Sequence, residues 1–263
     1  MGGTTMGEST DSSPGSVPEL NTIPYPEEYR DRLKESGASA FAGKTNHRNS
    51  RYYVFNDYYN MESDENLHIL THFKTYQQTT EYTCGAACSL MVLNWFGKEN
   101  YHEMLVGKLI ESIPERGSSV ECIADFFDLI GFDVDYHAKT TLRFREPEDF
   151  ERYVIDCMDR QTPIMVDWVD WAGHWQVIIG IDTCGTEDPY DDVLILADPY
   201  DVTNHFQDGY YIFPLARFFY MWREGPCAQK DEPYLQPFVA VRPKKPDAGE
   251  PGRSGDTPEG NKA

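Results

Sequence analysis

Four side chains are spaced so that they could carry out thiol chemistry together. Residues 78–88 read Gln78-Thr79-Thr80-Glu81-Tyr82-Thr83-Cys84-Gly85-Ala86-Ala87-Cys88 and run into Ser89-Leu90-Met91-Val92-Leu93-Asn94-Trp95-Phe96-Gly97. This is the pattern of a loop feeding the first turn of a buried helix. Helix starts present unpaired N–H groups and a partial positive charge, so a cysteine placed there is favoured as its thiolate. Cys84 therefore reads as a nucleophile. Gln78, six residues upstream, is a neutral amide able to donate a hydrogen bond to an oxyanion. Far downstream, Gly173-His174-Trp175 opens one apolar run and Leu194-Ile195-Leu196-Ala197-Asp198-Pro199 closes another. His174 would supply a base and Asp198 a carboxylate to orient it. The carboxylate is expected at Nδ1 of the imidazole, with the other nitrogen facing sulfur. Such a set attacks an amide carbonyl, forms a thioester and passes the acyl group to water or an amine.

Each position has rivals. Cys88 lies one helical turn in, where the dipole effect has faded, and reads as core packing. Gln77 is the alternative to Gln78 by a one-residue shift of register. Asp167, Asp170, Asp182 and Asp201 compete with Asp198, because an Asp ahead of Pro can be turn chemistry alone. His205 follows the Asp-Pro pair, breaks the order and reads as structural. His174 is flanked by Trp168, Trp171 and Trp175, whose indoles could fill the core or exclude water from a charged pair. Gly85, Gly173, Trp171 and Trp175 are the candidate substrate-contacting residues. Cys84 and Cys88 share a helix face and with His174 would offer three metal ligands. No second close pair completes a tetrahedral set, so no metal and no cofactor is expected.

The order and wording of these motifs resemble the papain-like cysteine peptidases. In particular they resemble the bacterial branch typified by the double-glycine leader peptidases of bacteriocin exporters and their stand-alone relatives. The resemblance rests on the Gln78-to-Cys84 spacing, on Cys84-Gly85 followed by Met91-Val92-Leu93 and Phe96-Gly97, and on Asp198-Pro199. Gly117-Ser118-Ser119 leading to Leu129-Ile130-Gly131-Phe132 is similar to the family's middle helix, and the whole likeness spans roughly residues 70–222. Phytochelatin synthase is a more distant relative that shares the Gln, the Cys-Gly and Met91-Val92-Leu93-Asn94 but lacks the Asp-Pro. The resemblance implies a papain-like fold and a peptide or small peptide-like amide as substrate. It leaves hydrolysis and acyl transfer both open, and a catalytically silent binding module stands as the reading from another class. Bacteriocin exporters join such a peptidase to a membrane transporter; no membrane span is read in residues 1–263, so a role in leader removal is not expected.

The elements that would position these residues divide the chain in two. Helices are expected at 84–96, at about 101–112, at 119–130 and at 147–159, on the strength of Gly97, Gly131, a Ser118 or Ser119 cap and Pro147 in a first turn. Short strands follow at 164–168, 175–181, 193–197, 210–213 and 238–241. Helices first and strands afterwards predict an α+β fold, with N-terminal helices packed on a C-terminal antiparallel sheet. There is no internal repeat.

At 263 residues and 40% apolar composition, the chain can bury a sizeable core. The expected core domain is 63–242. Residues 1–21 and 243–263 are rich in Gly, Pro, Ser and Thr and read as disordered tails. Residues 22–62 form an extension whose aromatic run, Arg51 to Asn60, should pack on the core. The net charge of −21 lies in the middle of the chain, since 1–21 carry only Glu8, Asp11 and Glu19 and the charges of 243–263 cancel. A nucleic-acid partner is not expected, because phosphate binding needs clustered Lys and Arg. No run approaches the ~20 apolar residues of a membrane span, and the start lacks a signal-peptide pattern, so a cytoplasmic location is expected. Six cysteines in a chain of this size read as reduced and mostly buried rather than as a disulfide framework.

Overall fold

The computed structural model describes residues 56–170, 173–202, 206–225 and 232–245. The expected N-terminal tail, most of the 22–62 extension, Trp171, His205, Cys227 and residues 246–263 lie outside these residues. Pro243 ends the last strand and Lys244 bonds to Gly131 and Asp128, so the chain is ordered slightly beyond the expected domain end at 242. Within residues 57–62, a 3₁₀ turn at Tyr58–Asn60 sets Tyr58 against Tyr210, ring centroids 5.8 Å apart.

The described residues from Asp57 onward form five α-helices and one antiparallel sheet of seven strands. The helices are α1 (Cys84–Trp95), α2 (Glu103–Leu109), α3 (Val120–Leu129), α4 (Pro147–Asp159) and α5 (Leu215–Met221). The strands are β1 (Leu67–Ile69), β2 (Phe132–His137), β3 (Ile164–Trp168), β4 (His174–Asp182), β5 (Val193–Ala197), β6 (Tyr210–Pro214) and β7 (Phe238–Pro243). Their order is β2-β7-β3-β4-β5-β6, and β1 pairs with the second half of β4. The α+β fold expected from the sequence is the fold observed. The sheet is not confined to the C-terminal half, because β1 precedes the first helix and β2 follows the third. β1 is only three residues long, and β2 follows directly after a helix stop at Gly131 with only its end residues, Phe132 and His137, buried.

Local chemistry accounts for the helix ends. Ser119 caps α3 by accepting the N–H of Cys122, Pro147 occupies the first turn of α4, and Gly97 and Gly131 take positive φ values of 72° and 91° just past α1 and α3. α2 is shorter than the sequence pattern suggests, and Glu111 just beyond it sits at φ 53°.

Two members form the centre. All nine residues of β4 are buried, with β3 and β1 sharing one of its edges and β5 the other. α1 is buried from Cys84 to Leu93 and packs on β4, so it is apolar all round rather than amphipathic. α1 and α3 cover one face of the sheet, where Ser89 meets Met165 and Phe127 meets Phe132. α4 and α5 cover the other, where Phe150 and Phe218 stack and Trp168 packs on Phe218.

A buried acidic position lies where β5 begins. Asp192 is 1% exposed, and its Oδ2 has no hydrogen-bond partner among the described residues. Burial, then the charges of Glu151 and Asp182, push its carboxyl up to about 7 from 3.8. Ionisation is therefore disfavoured in the fold, and stability falls as pH rises from about 3.8 to about 7. Asp192→Asn should accordingly stabilise the protein at pH 8 by roughly 1–2 kcal/mol, or a few °C in melting temperature, and give no gain at pH 4. Equal melting of the two proteins at pH 8 would refute this account.

Candidate active site

The antiparallel pairing of β4 with β5 brings two distant sequence words together. β4 begins at His174 and β5 ends at Ala197, and the register pairs Val177 with Ala197, so Asp198 emerges beside the start of β4. His174 Nε2 lies 2.7 Å from Asp198 Oδ1, with the two side chains 7% and 3% exposed. The same Oδ1 accepts the N–H of Tyr200 at 2.8 Å, and Asp201 adds a second backbone N–H to this carboxylate. The N–H of Asp198 itself donates to the carbonyl of Gly209 at 2.8 Å, which anchors the turn.

The ring orientation differs from the sequence expectation. Nε2, not Nδ1, meets the carboxylate, which leaves Nδ1 as the nitrogen for the Cys84 hydrogen bond. His174 stands on β4 and must reach across to the next strand end. The distal nitrogen makes that reach, and the one beside Cβ turns to the helix start.

Burial alone would strip the proton from His174. Its hydrogen bonds to Asp198 and Cys84 and its electrostatic attraction to them outweigh burial and push its pKa from 6.5 up to about 10. Burial likewise opposes ionisation of Asp198, yet the His174 hydrogen bond and charge and the two backbone N–H groups hold its carboxyl below its usual 3.8.

Cys84 is the first residue of α1 and is 7% exposed, at the edge of a cleft of about 310 Å³. Cys88 is fully buried, and burial followed by the negative charge of Cys84, Asp198 and Asp167 raises its thiol well above the ordinary range. A single helical turn thus separates a thiol at a cleft from one sealed in the core.

Gln78 is tied to this region through its backbone, whose N–H donates to the carbonyl of Pro199 at 2.8 Å. Its side-chain Nε2 donates one hydrogen to Thr80 O at 2.8 Å, leaving the amide a second N–H. Gln77 is exposed. Gly173, at φ 101°, lines the cleft, and a Cβ there would stand 3.0 Å from Gly225 Cα. Trp175 also lines it, with its indole N–H donating to Ser118 O at 3.1 Å.

Gly85 does not line the cleft. A Cβ on it would meet Ser118 Oγ at 2.8 Å and Ile123 Cδ1 at 3.2 Å, so its missing side chain lets α1 approach the start of α3. Trp168 is turned away, donating to Gln176 Oε1 at 2.7 Å and packing on Phe213. Among the other aspartates, Asp167 lines the cleft opposite Trp175 in the β3–β4 register. Asp170 is raised by burial and by Asp198 and lowered by His174. Asp182 stands at the far end of β4 and accepts Cys184 N–H, and Asp201 accepts a backbone bond from Gly209. No group of three or more His, Cys, Asp or Glu side chains is arranged to hold a metal among the described residues.

Sequence reasoning passed over Tyr200, Glu81 and Glu224. Tyr200 sits edge-on to the His174 ring at 6.1 Å and its hydroxyl donates to Glu81 at 3.2 Å. Its place two residues after Asp198 was a usable signal. Glu224 lines the cleft from a loop with no motif of its own.

Two outcomes follow from this geometry. Cys84 should be alkylated by iodoacetamide faster than Cys88 at neutral pH by about 10-fold or more, read by mass spectrometry, and equal labelling would refute the contrast between them. His174 should remain doubly protonated at pH 8 in ¹⁵N NMR. Because its folded pKa is raised, the stability it contributes is full below about 6.5 and is lost as pH rises through about 10. A neutral ring at pH 8 would contradict the pairing.

A family model described as papain-like cysteine protease AvrRpt2 matches residues 66–208, a little over half of the chain. Among solved structures, the peptidase domain of Streptococcus ComA, a bi-functional ABC transporter involved in quorum sensing, is 18% identical. The match covers 66% of this chain and 100% of that one, with a TM-score of 0.43. A double glycine motif protease from an AMS/PCAT transporter, in complex with its leader peptide, is 16% identical, covering 65% and 91% of the two chains at a TM-score of 0.41. A comparison with curated proteins gave no match. These structural likenesses are weak, and the family match stands without them: the chain belongs to the papain-like cysteine protease family of AvrRpt2.

Proposed function

We propose that this cysteine peptidase cleaves a peptide or peptide-like amide through a thioester on Cys84, with His174 as its acid and base, Asp198 as the orienting carboxylate and Gln78 as an oxyanion donor. The observation that supports it most is the buried run from Cys84 through His174 to Asp198, with its 2.7 Å hydrogen bond and raised imidazole pKa.

A proton held on His174 leaves the sulfur as thiolate, next to the positive end of α1. The sulfur attacks the amide carbonyl, and the carbon becomes tetrahedral with an oxyanion. The backbone N–H of Cys84 and the second N–H of the Gln78 amide receive that oxygen, and losing one such donor typically costs on the order of 10²–10³ in rate. His174 gives its Nδ1 proton to the departing nitrogen, the C–N bond breaks and the amine leaves. Water then enters, loses a proton to the same nitrogen, and its oxygen displaces sulfur from the thioester. Asp198 keeps the imidazole in place throughout. Trp175 forms part of the cleft wall, together with the close backbone approach of Gly173 and Gly225.

The test is turnover on a panel of Gly-Gly and glutathione-type peptides, with cleavage mapped by mass spectrometry. Cys84→Ala should abolish cleavage. Asp198→Asn should cut kcat by on the order of 10²–10⁴ at matched melting temperature, by analogy with the serine-protease triad. An Asp198→Asn variant retaining more than half of wild-type turnover would remove Asp198 from the site and direct attention to Asp170 or Asp167.

A further inference from the structure

The six-residue step from Gln78 to Cys84 is a loop, and a loop does not by itself hold two donors at a fixed separation. One buried side chain from another element closes it. Glu103, 3% exposed in the first turn of α2, accepts the N–H of Thr79 at 2.9 Å and the hydroxyl of Thr83 on the same oxygen, Oε1. Thr79 directly follows Gln78 and Thr83 directly precedes Cys84. A single atom therefore bridges the residues adjoining the two proposed oxyanion donors. Inside that bridge the loop is further closed by Thr83 N–H to Thr80 O at 3.4 Å and by Gln78 Nε2 to Thr80 O at 2.8 Å.

Thr83 adds an independent indication. It holds the N-cap position of α1, where a threonine hydroxyl ordinarily accepts an N–H of the first turn, yet it makes no such bond. Its hydroxyl is directed to Glu103 instead, so the positive end of α1 beside Cys84 is not offset by a side-chain cap. Burying a carboxyl group is unfavourable unless it is hydrogen-bonded. Both bonds made by this Oε1 go to the loop, and neither goes to the helix that carries Glu103.

We propose that Glu103 is a positioning residue that sets the distance and direction between the Gln78 amide and the Cys84 N–H, and so shapes the oxyanion site without touching the substrate. The inference rests on the peptidase reading above.

Two reagents separate its effect. Iodoacetamide needs only the Cys84 thiolate. A peptide aldehyde forms a thiohemiacetal whose oxygen occupies the oxyanion position. Glu103→Ala should label with iodoacetamide within about 3-fold of wild type but bind the aldehyde about 10–100-fold more weakly, less than outright loss of a donor because the donor is displaced rather than removed. Glu103→Gln, whose amide oxygen can accept the same two bonds, should restore most of the aldehyde affinity. In the double variant Gln78→Ala/Glu103→Ala, the second change should add less than about 3-fold to the first, because both act on one donor.

Parallel loss of labelling and aldehyde binding, unchanged aldehyde binding in Glu103→Ala, or full additivity in the double variant would each overturn the inference. If Glu103→Ala does not fold, Thr83→Val removes one arm of the bridge. It should weaken the aldehyde by at least about 3-fold with labelling unchanged, and the absence of that loss overturns the proposal. Wild-type protein that labels at Cys84 but forms no aldehyde adduct overturns the peptidase reading and this inference with it. A wild-type adduct that Glu103→Ala leaves intact overturns this inference alone.

Discussion

The hydrogen bond between His174 and Asp198 is the interaction around which the rest is arranged. Burial opposes charge on both partners, and each keeps its charge because the other is 2.7 Å away. A buried ion pair of this kind is stable only when its remaining polar atoms are also bonded, and removing one partner strands the other. The backbone meets that condition. Tyr200 and Asp201 point N–H groups at the carboxylate, and the Asp198 N–H is fixed on Gly209. The pair also needs a rigid base, which the fully buried β4 and its register with β5 provide.

Electrostatics then distinguish two thiols on one helix. Cys84 lies at the open end of α1, beside the His174 proton and the cleft. Cys88, one turn further, has the negative charges of Cys84, Asp198 and Asp167 around it and no access to solvent, so its thiol is driven up. The apolar packing that fixes α1 against β4 is therefore also what seals the second cysteine from solvent. Gly85 serves the same packing, since it lets α1 press against Ser118 and Ile123 at the mouth of the cleft.

The cleft depends on chain that lies beyond the family match. Residues 66–208 carry α1, β4 and β5, but β7 sits between β2 and β3 in the sheet, and Gly225 packs against Gly173 in the cleft wall. Without β7 the sheet would lose its link to β2, and α3 would lose much of the surface it packs on. The region after residue 208 is thus part of the same folding unit, and it is where sequence variation could reshape the cleft without touching the Cys84–His174–Asp198 run.

Much of this was written locally in the sequence. A cysteine between a Thr-rich loop and an apolar run marks a helix start. Gly97, Ser119, Gly131 and Pro147 mark the helix boundaries, and the order Gln78, Cys84, His174, Asp198 marks the family. These signals are legible because backbone preference and capping depend on a few neighbouring residues. Tertiary structure alone decided what depends on distant pairing. β1 is too short to show a period and exists because β4 offers it an edge. The imidazole nitrogen facing Asp198 was set by the distance between two strand ends. Gly85 became a packing residue because α3 passes beside it, Trp168 was turned to the opposite face by strand alternation, and Glu103 met Thr79 and Thr83 only when α2 folded back on the loop. Side-chain direction and cross-chain contact follow from how layers pack, and no short window of residues contains that information.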